Sequence, residues 1–176
     1  MRLARILLAL LAFLALPGAV QAQTAEGPSL EGTFVYDASA SDNVEGAINA
    51  AITSMNFALR PIARGRLKRT NRPYQKVVIR YTPAQVSITM DGRAPIHTPA
   101  NGTPVDWTRP EDGEKLKVST EWENGRIEQT FQAEDGKRVN TYSISPDGRV
   151  MSILVTITSP RLPKPLTYTL RYRRAS

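Results

Sequence analysis

The most concentrated chemistry in this sequence is cationic. Arg60, Arg64, Arg66, Lys68, Arg69 and Arg72 place six positive charges within 13 residues, with no acid between them. Such a run can complement the C-terminal end of a helix dipole and solvate a loop, or it can steer an anionic headgroup, an anionic membrane surface or an acidic partner. Nucleic acid fits it poorly, because Tyr74 is the only stacking residue nearby. A second set of groups sits on faces that are otherwise apolar. Tyr168, Leu170 and Tyr172 share one face of the last strand-like segment, and Gln129 shares a face with Ile127, Phe131 and Ala133. Hydroxyls and an amide placed there must find partners in neighbours, water or a ligand.

Catalysis has little to work with. The chain has no cysteine and one histidine, His97, set between Pro95 and Pro99. Thiol chemistry, multi-histidine metal sites and Ser-His-Asp triads are therefore poorly served. Glu121, Glu123, Glu128, Glu134 and Asp135 alternate outward opposite basic residues, the pattern of a solvated sheet face rather than of paired carboxylates. Gly-rich phosphate loops and Gly-x-Ser-x-Gly are absent. The reading is of a protein that is not an enzyme and uses no cofactor and no metal.

The elements that must position these groups begin after a targeting segment. Residues 1–22 read as a secretory signal peptide: basic Arg2 and Arg5, an apolar run from Ile6 to Leu16, the Pro17-Gly18 break, then small residues up to cleavage after Ala22. The run is too short to span a bilayer as a helix, which takes roughly 20 residues. The mature chain is expected to be exported, to the periplasm or beyond, with a polar leader over residues 23–29 and one domain over residues 30–176. Losing the signal lowers the formal net charge from +7 to about +5.

Within that domain, Asp42 offers an N-cap with Glu45 three residues on. Val44, Ala47, Ile48, Ala51, Ile52, Met55, Leu59 and Ile62 follow at helical spacing, predicting one amphipathic helix from Asp42 to Ala63 with the basic run at its end. Strands are expected near 30–37, 76–82, 85–91, 93–98, 103–108, 115–123, 126–134, 137–145, 149–158 and 166–173. Asp91-Gly92, Asp112-Gly113, Asn124-Gly125, Asp135-Gly136 and Asp147-Gly148 all read as two-residue hairpin signals. Alternation is clear in the later strands. Leu116, Val118, Thr120 and Trp122 oppose Lys115, Lys117, Ser119 and Glu121, while Met151, Ile153, Val155 and Ile157 oppose Arg149, Ser152, Thr156 and Thr158. The charged or hydroxylic face excludes a lipid-facing barrel. A long meander avoids exposed edges by closing, so the fold class is mainly β: an up-and-down antiparallel β-barrel of about ten strands, with one helical insertion after the first strand.

This order of elements resembles the calycin superfamily of lipocalins and fatty-acid-binding proteins. Leu30-Glu31-Gly32-Thr33-Phe34 looks like their opening strand, Trp122 to Gly125 like a late strand and hairpin, and Asp135-Gly136-Lys137 like the next turn. Leu170-Arg171-Tyr172-Arg173-Arg174 is similar to the closing strand of fatty-acid-binding proteins, with Tyr172 at the tyrosine position of their carboxylate site and Leu170 at the arginine position. The resemblance implies a cavity holding a small hydrophobic or amphipathic, lipid-like ligand, with the helix as a lid over one mouth. Candidate lining residues are Met55, Leu59, Trp122, Gln129, Phe131, Val155, Ile157, Tyr168, Leu170 and Tyr172. The alternative is a filled barrel that presents Arg60, Arg64, Arg66, Lys68, Arg69 and Arg72 to an acidic partner or an anionic membrane surface.

Overall fold

The computed structural model describes residues 29–175, so the expected signal segment lies outside the described residues, as does the leader apart from Ser29. Ten strands and two helices follow in the order β1 (Gly32–Tyr36), α1 (Val44–Ile52), α2 (Arg60–Thr70), β2 (Lys76–Tyr81), β3 (Gln85–Met90), β4 (Ile96–Pro99), β5 (Val105–Thr108), β6 (Lys115–Glu123), β7 (Arg126–Gln132), β8 (Lys137–Ile144), β9 (Val150–Thr158) and β10 (Leu166–Arg174). The sheet order is β4-β3-β2-β1-β10-β9-β8-β7-β6-β5, and every neighbouring pair is antiparallel. This is the up-and-down barrel expected, nearly closed. The seam falls at β4 and β5, four residues each, bracketed by Pro95, Pro99, Pro104 and Pro110, which have no ladder donor to give. Across the seam run one bridge, Asn101 to Glu121, and a bond from the Gly102 N–H to the Thr120 carbonyl at 2.9 Å.

The helical insertion is two helices rather than one. Asp42 does not cap α1, because its carboxylate accepts the Thr169 N–H of β10 at 2.7 Å; Asn43 caps instead, accepting from the Gly46 N–H at 2.9 Å. The helix stops at Ile52, where the Thr53 hydroxyl bonds back to the Asn49 carbonyl. It cannot run on through Pro61, whose ring lacks an N–H and would strike the preceding turn. Pro61 instead occupies the first turn of a new helix, where a missing N–H costs nothing. The basic run from Arg60 to Arg69 is thus the body of α2, not the tail of a longer helix, and Arg72 follows its end.

Turn chemistry also departs from expectation. Only two of the five Asp/Asn-Gly pairs have both residues in the left-handed region, Asp91-Gly92 (φ 51° and 70°) and Asn124-Gly125 (51° and 73°). After the first of these the ladder resumes only at Ile96, because Pro95 breaks the predicted strand. Gly136 has no left-handed backbone. It is small because its Cβ would lie 2.9 Å from the Thr158 carbonyl oxygen.

Alternation fills the interior. Phe34, Ile79, Val118, Ile127, Met151, Val155 and Tyr172 are all 0% exposed, and Ile48, Ala51 and Ile52 of α1 complete the core. The end away from the helices is sealed by Leu30 and by Arg174, whose guanidinium lies 4.7 Å from the Phe34 ring centroid and donates to the carbonyls of Ser29, Glu31 and Gly148.

The Asn124-Gly125 turn offers a clean test of backbone control. An added Cβ at Gly125 meets nothing within 4 Å, so Gly125→Ala acts only through the left-handed φ and should lower unfolding free energy by about 1–2 kcal/mol in denaturant titration.

Candidate functional site

The open end of the barrel holds a cavity of about 490 Å³ beneath α2. That lies within the roughly 300–1,000 Å³ typical of sites enclosing one small ligand. Met55 and Leu59 of the interhelical loop, with Ile62 and Leu67 of α2, face it from above. Met90, Trp107, Leu116, Phe131 and Ile157 wall it from β3, β5, β6, β7 and β9, with Trp107 set edge-on to Phe131 at 5.6 Å. Each is brought inward by strand parity. The rim is ionic: Arg109 pairs with Asp112 at 2.8 Å and with Glu114, and Glu114 also takes Arg66 of the lid at 3.0 Å.

Arg138 stands on the same rung as Phe131 and Ile157, half-buried in the cavity wall. Its Nε donates to Asn140 Oδ1 at 2.8 Å, and its Nη1 reaches the Thr70 carbonyl and Asn71 Oδ1, each at 3.3 Å. Among the described residues no carboxylate pairs with it. A cation half-withdrawn from water without a counter-charge is costly unless something anionic or strongly accepting joins it. From Arg138 a hydrogen-bonded chain descends into the barrel. Asn140 donates to the Tyr142 hydroxyl at 3.3 Å, and that hydroxyl donates to Gln129 Oε1 at 3.0 Å. Asn71, just past α2, joins from above by accepting the Tyr168 hydroxyl at 2.8 Å.

The sequence-derived candidates divide by depth. Met55, Leu59, Phe131 and Ile157 line the cavity. Gln129, Val155, Tyr168, Leu170 and Tyr172 do not; they lie buried below it, where the interior is filled. Trp122 is at the far end, 38% exposed and 4.6 Å from the Tyr81 ring, because inward parity at the end of β6 leads away from the lid. Gln129 meets half its demand, its Oε1 satisfied and its Nε2 without a partner among the described residues; the Tyr172 hydroxyl likewise has none. Of the basic run, Arg60 donates to the Met55 carbonyl, Arg64 to Asn49, Arg66 to Glu114 and Lys68 to Glu45. Arg69 and Arg72 have no such partner among the described residues. His97 is exposed on β4, away from any cluster.

Sequence reasoning missed Arg138, Asn140 and Asn71. The signal was present: Arg138, Asn140, Tyr142 and Ile144 share the inward parity of β8, so two strongly polar side chains point into an apolar barrel.

Burial pushes the Tyr142 phenol up to about 12 and raises those of Tyr172, Tyr168 and Tyr74, so all four stay neutral, and those of Tyr142 and Tyr168 serve as donors. A phenol raised on folding keeps its proton while the unfolded chain ionises. Stability is therefore full below pH about 10 and falls as pH rises towards 12. Tyrosinate absorbance should accordingly lag at Tyr142 and Tyr172 until the protein unfolds. Tyr142→Phe, which strands Asn140 and Gln129, should cost roughly 1–3 kcal/mol by denaturant titration.

No protein-family model matches the chain, and no curated protein matches it in sequence. Solved structures do match in fold. A structure titled REP1-NXSQ fatty acid transporter aligns with a TM-score of 0.54 at 13% identity, covering 84% of this chain and 96% of that one. Human cRBP IV aligns at 0.50 and 20% identity over 84% and 98% of the two chains. Fatty-acid-binding protein 1 of Echinococcus granulosus aligns at 0.48 and 8% over 84% and 98%. At such identities the likeness is one of architecture, and the architecture of this chain is the calycin-like barrel with two helices inserted after its first strand.

Proposed function

We propose that this protein is an exported carrier of a small hydrophobic or amphipathic, lipid-like ligand, held under α2 with its polar group on Arg138. The observation that supports this best is the conjunction in one cavity of apolar walls and a half-buried guanidinium without a carboxylate. The solved neighbours, named for a fatty acid transporter and a cRBP, support binding rather than catalysis. Leu170 leaves the last strand without the arginine of fatty-acid-binding proteins, and Arg138, on β8 nearer the lid, supplies the cation instead.

Displacement of an environment-sensitive dye by a panel of long-chain acids and alcohols tests the proposal. Stoichiometric binding is expected, and Arg138→Gln should weaken acids by about tenfold or more, the scale of a charge-assisted hydrogen bond, while sparing alcohols. A folded protein that binds nothing on the panel overturns it. Export is tested separately by the N-terminus of the mature protein, expected at Gln23.

The second reading, docking on an anionic surface, is favoured by the lid's outer face. Phe57, in the interhelical loop three residues before Arg60, is 80% exposed and does not line the cavity. Large apolar side chains flanked by cations suit an anionic bilayer. Association with anionic vesicles should be strong at low salt, fall steeply as salt rises, and drop by about tenfold in Phe57→Ser. Equal association of wild type and variant would remove this reading.

A further inference from the structure

We infer that the groove at the end of α2 seats a phosphate-class headgroup, and that the cavity's ligand is a single-chain phosphorylated amphiphile. The inference rests on the cavity being a ligand site and goes further by naming the headgroup, which for a phosphorylated ligand moves from Arg138, the place of a carboxylate, out to this groove. Beyond the last turn of α2 lies an open groove of about 750 Å³, to which Lys68, Arg69, Arg72 and Arg93 contribute. Thr70 and Tyr74 line this groove and the cavity alike, so the two spaces meet at that pair.

Cations at a helix C-terminus ordinarily cover its free carbonyls. Here two of those carbonyls are met by groups outside the basic run: Asn71 Nδ2 donates to the Leu67 carbonyl at 2.9 Å, and Arg138 Nη1 to the Thr70 carbonyl at 3.3 Å. The groove's acids have partners of their own, although the buried Oε2 of Glu111 has none among the described residues. Asp91 accepts the Lys76 N–H at 2.9 Å, Glu111 pairs with Arg93, and Lys68 is taken by Glu45 of α1. Asp112, which feels the field of Arg69, is held in a two-bond fork by Arg109. Arg69 and Arg72 are left exposed, without a carboxylate among the described residues, three positions apart beside Tyr74.

Two guanidinium forks require more acceptor than a carboxylate offers. The two oxygens of a carboxylate fill one fork, whereas the three terminal oxygens of a phosphate monoester, with up to two negative charges, serve both. A headgroup at this place leaves its chain to pass Thr70 and Tyr74 into the cavity, whose volume suits one chain.

The test compares an alkyl phosphate, the alkyl carboxylate of the same chain length and inorganic phosphate on wild type, Arg69→Gln/Arg72→Gln and Arg138→Gln, with circular dichroism confirming that each variant is folded. Expected are at least about tenfold tighter binding of the alkyl phosphate than of the carboxylate, loss of that preference in Arg69→Gln/Arg72→Gln, and its retention in Arg138→Gln. Inorganic phosphate should bind far more weakly than the alkyl phosphate. Equal affinity for the two amphiphiles, or a preference that survives Arg69→Gln/Arg72→Gln, overturns the inference while leaving the carrier reading intact. Inorganic phosphate binding as tightly as the alkyl phosphate overturns it in favour of a free-phosphate site. If neither amphiphile binds wild type, the carrier reading falls, and this inference with it.

Discussion

A pleated ladder offers each side chain two faces, and once ten such strands curl round on themselves one of those faces has no water to meet. That constraint sets the interior of this molecule rung by rung. Thr120, Gln129, Asn140, Val155 and Tyr168 lie in register on five consecutive strands of the sheet, and four of the five are polar. Gln129 and Asn140 are joined through Tyr142 and on to Arg138, and Tyr168 to Asn71, the joins running upward towards the lid, while the buried Thr120 hydroxyl has no partner among the described residues. The polarity of the site is therefore a property of the barrel's wall rather than of the loops around its mouth.

The lid obeys a different economy. No residue of α2 is fully buried; the half-buried Leu67, Arg66 on Glu114 and Asn71 beneath its end hold it to the barrel, and Lys68 on Glu45 and Arg64 on Asn49 hold it to α1. Exposed ion pairs of this kind contribute little each and weaken with salt. By contrast, α1 buries Ile48, Ala51 and Ile52 against the core. One helix closes the barrel and the other covers the cavity.

How far this was legible depends on whether the deciding forces were local. Strand parity is local, and the inward sets of β6 and β9 read correctly from alternation, as did the place of Phe131 and Ile157. Pro61 was equally local but hidden inside a good helical spacing, which steric exclusion overrides. The N-cap moved from Asp42 to Asn43 because a strand far along the sequence needed the aspartate. The turns were over-read, since a Gly after an acidic residue marks a bend without fixing the length of the loop, as Pro95 and the close approach at Gly136 show. Depth along the barrel axis was not legible at all. Parity says inward or outward and nothing about how near the mouth, so Trp122 and Tyr172 were grouped with Phe131 although the strands carry them to different levels.

The pairing of β1 with β10 gives the fold a schedule. Phe34 lies opposite Arg174, and Arg174 also reaches back to the carbonyls of Ser29 and Glu31 across sequence separations of 145 and 143 residues. The first strand has its second neighbour only when the last has been synthesised, so a nascent chain can zip its hairpins one by one but cannot shut the barrel. Contacts of such long range form late and slowly, since the entropy of closing the loop is spent before they return anything. Until Arg174 arrives, β1 keeps a bare edge, and the growing chain remains a sheet that is still open to being threaded, bound or held.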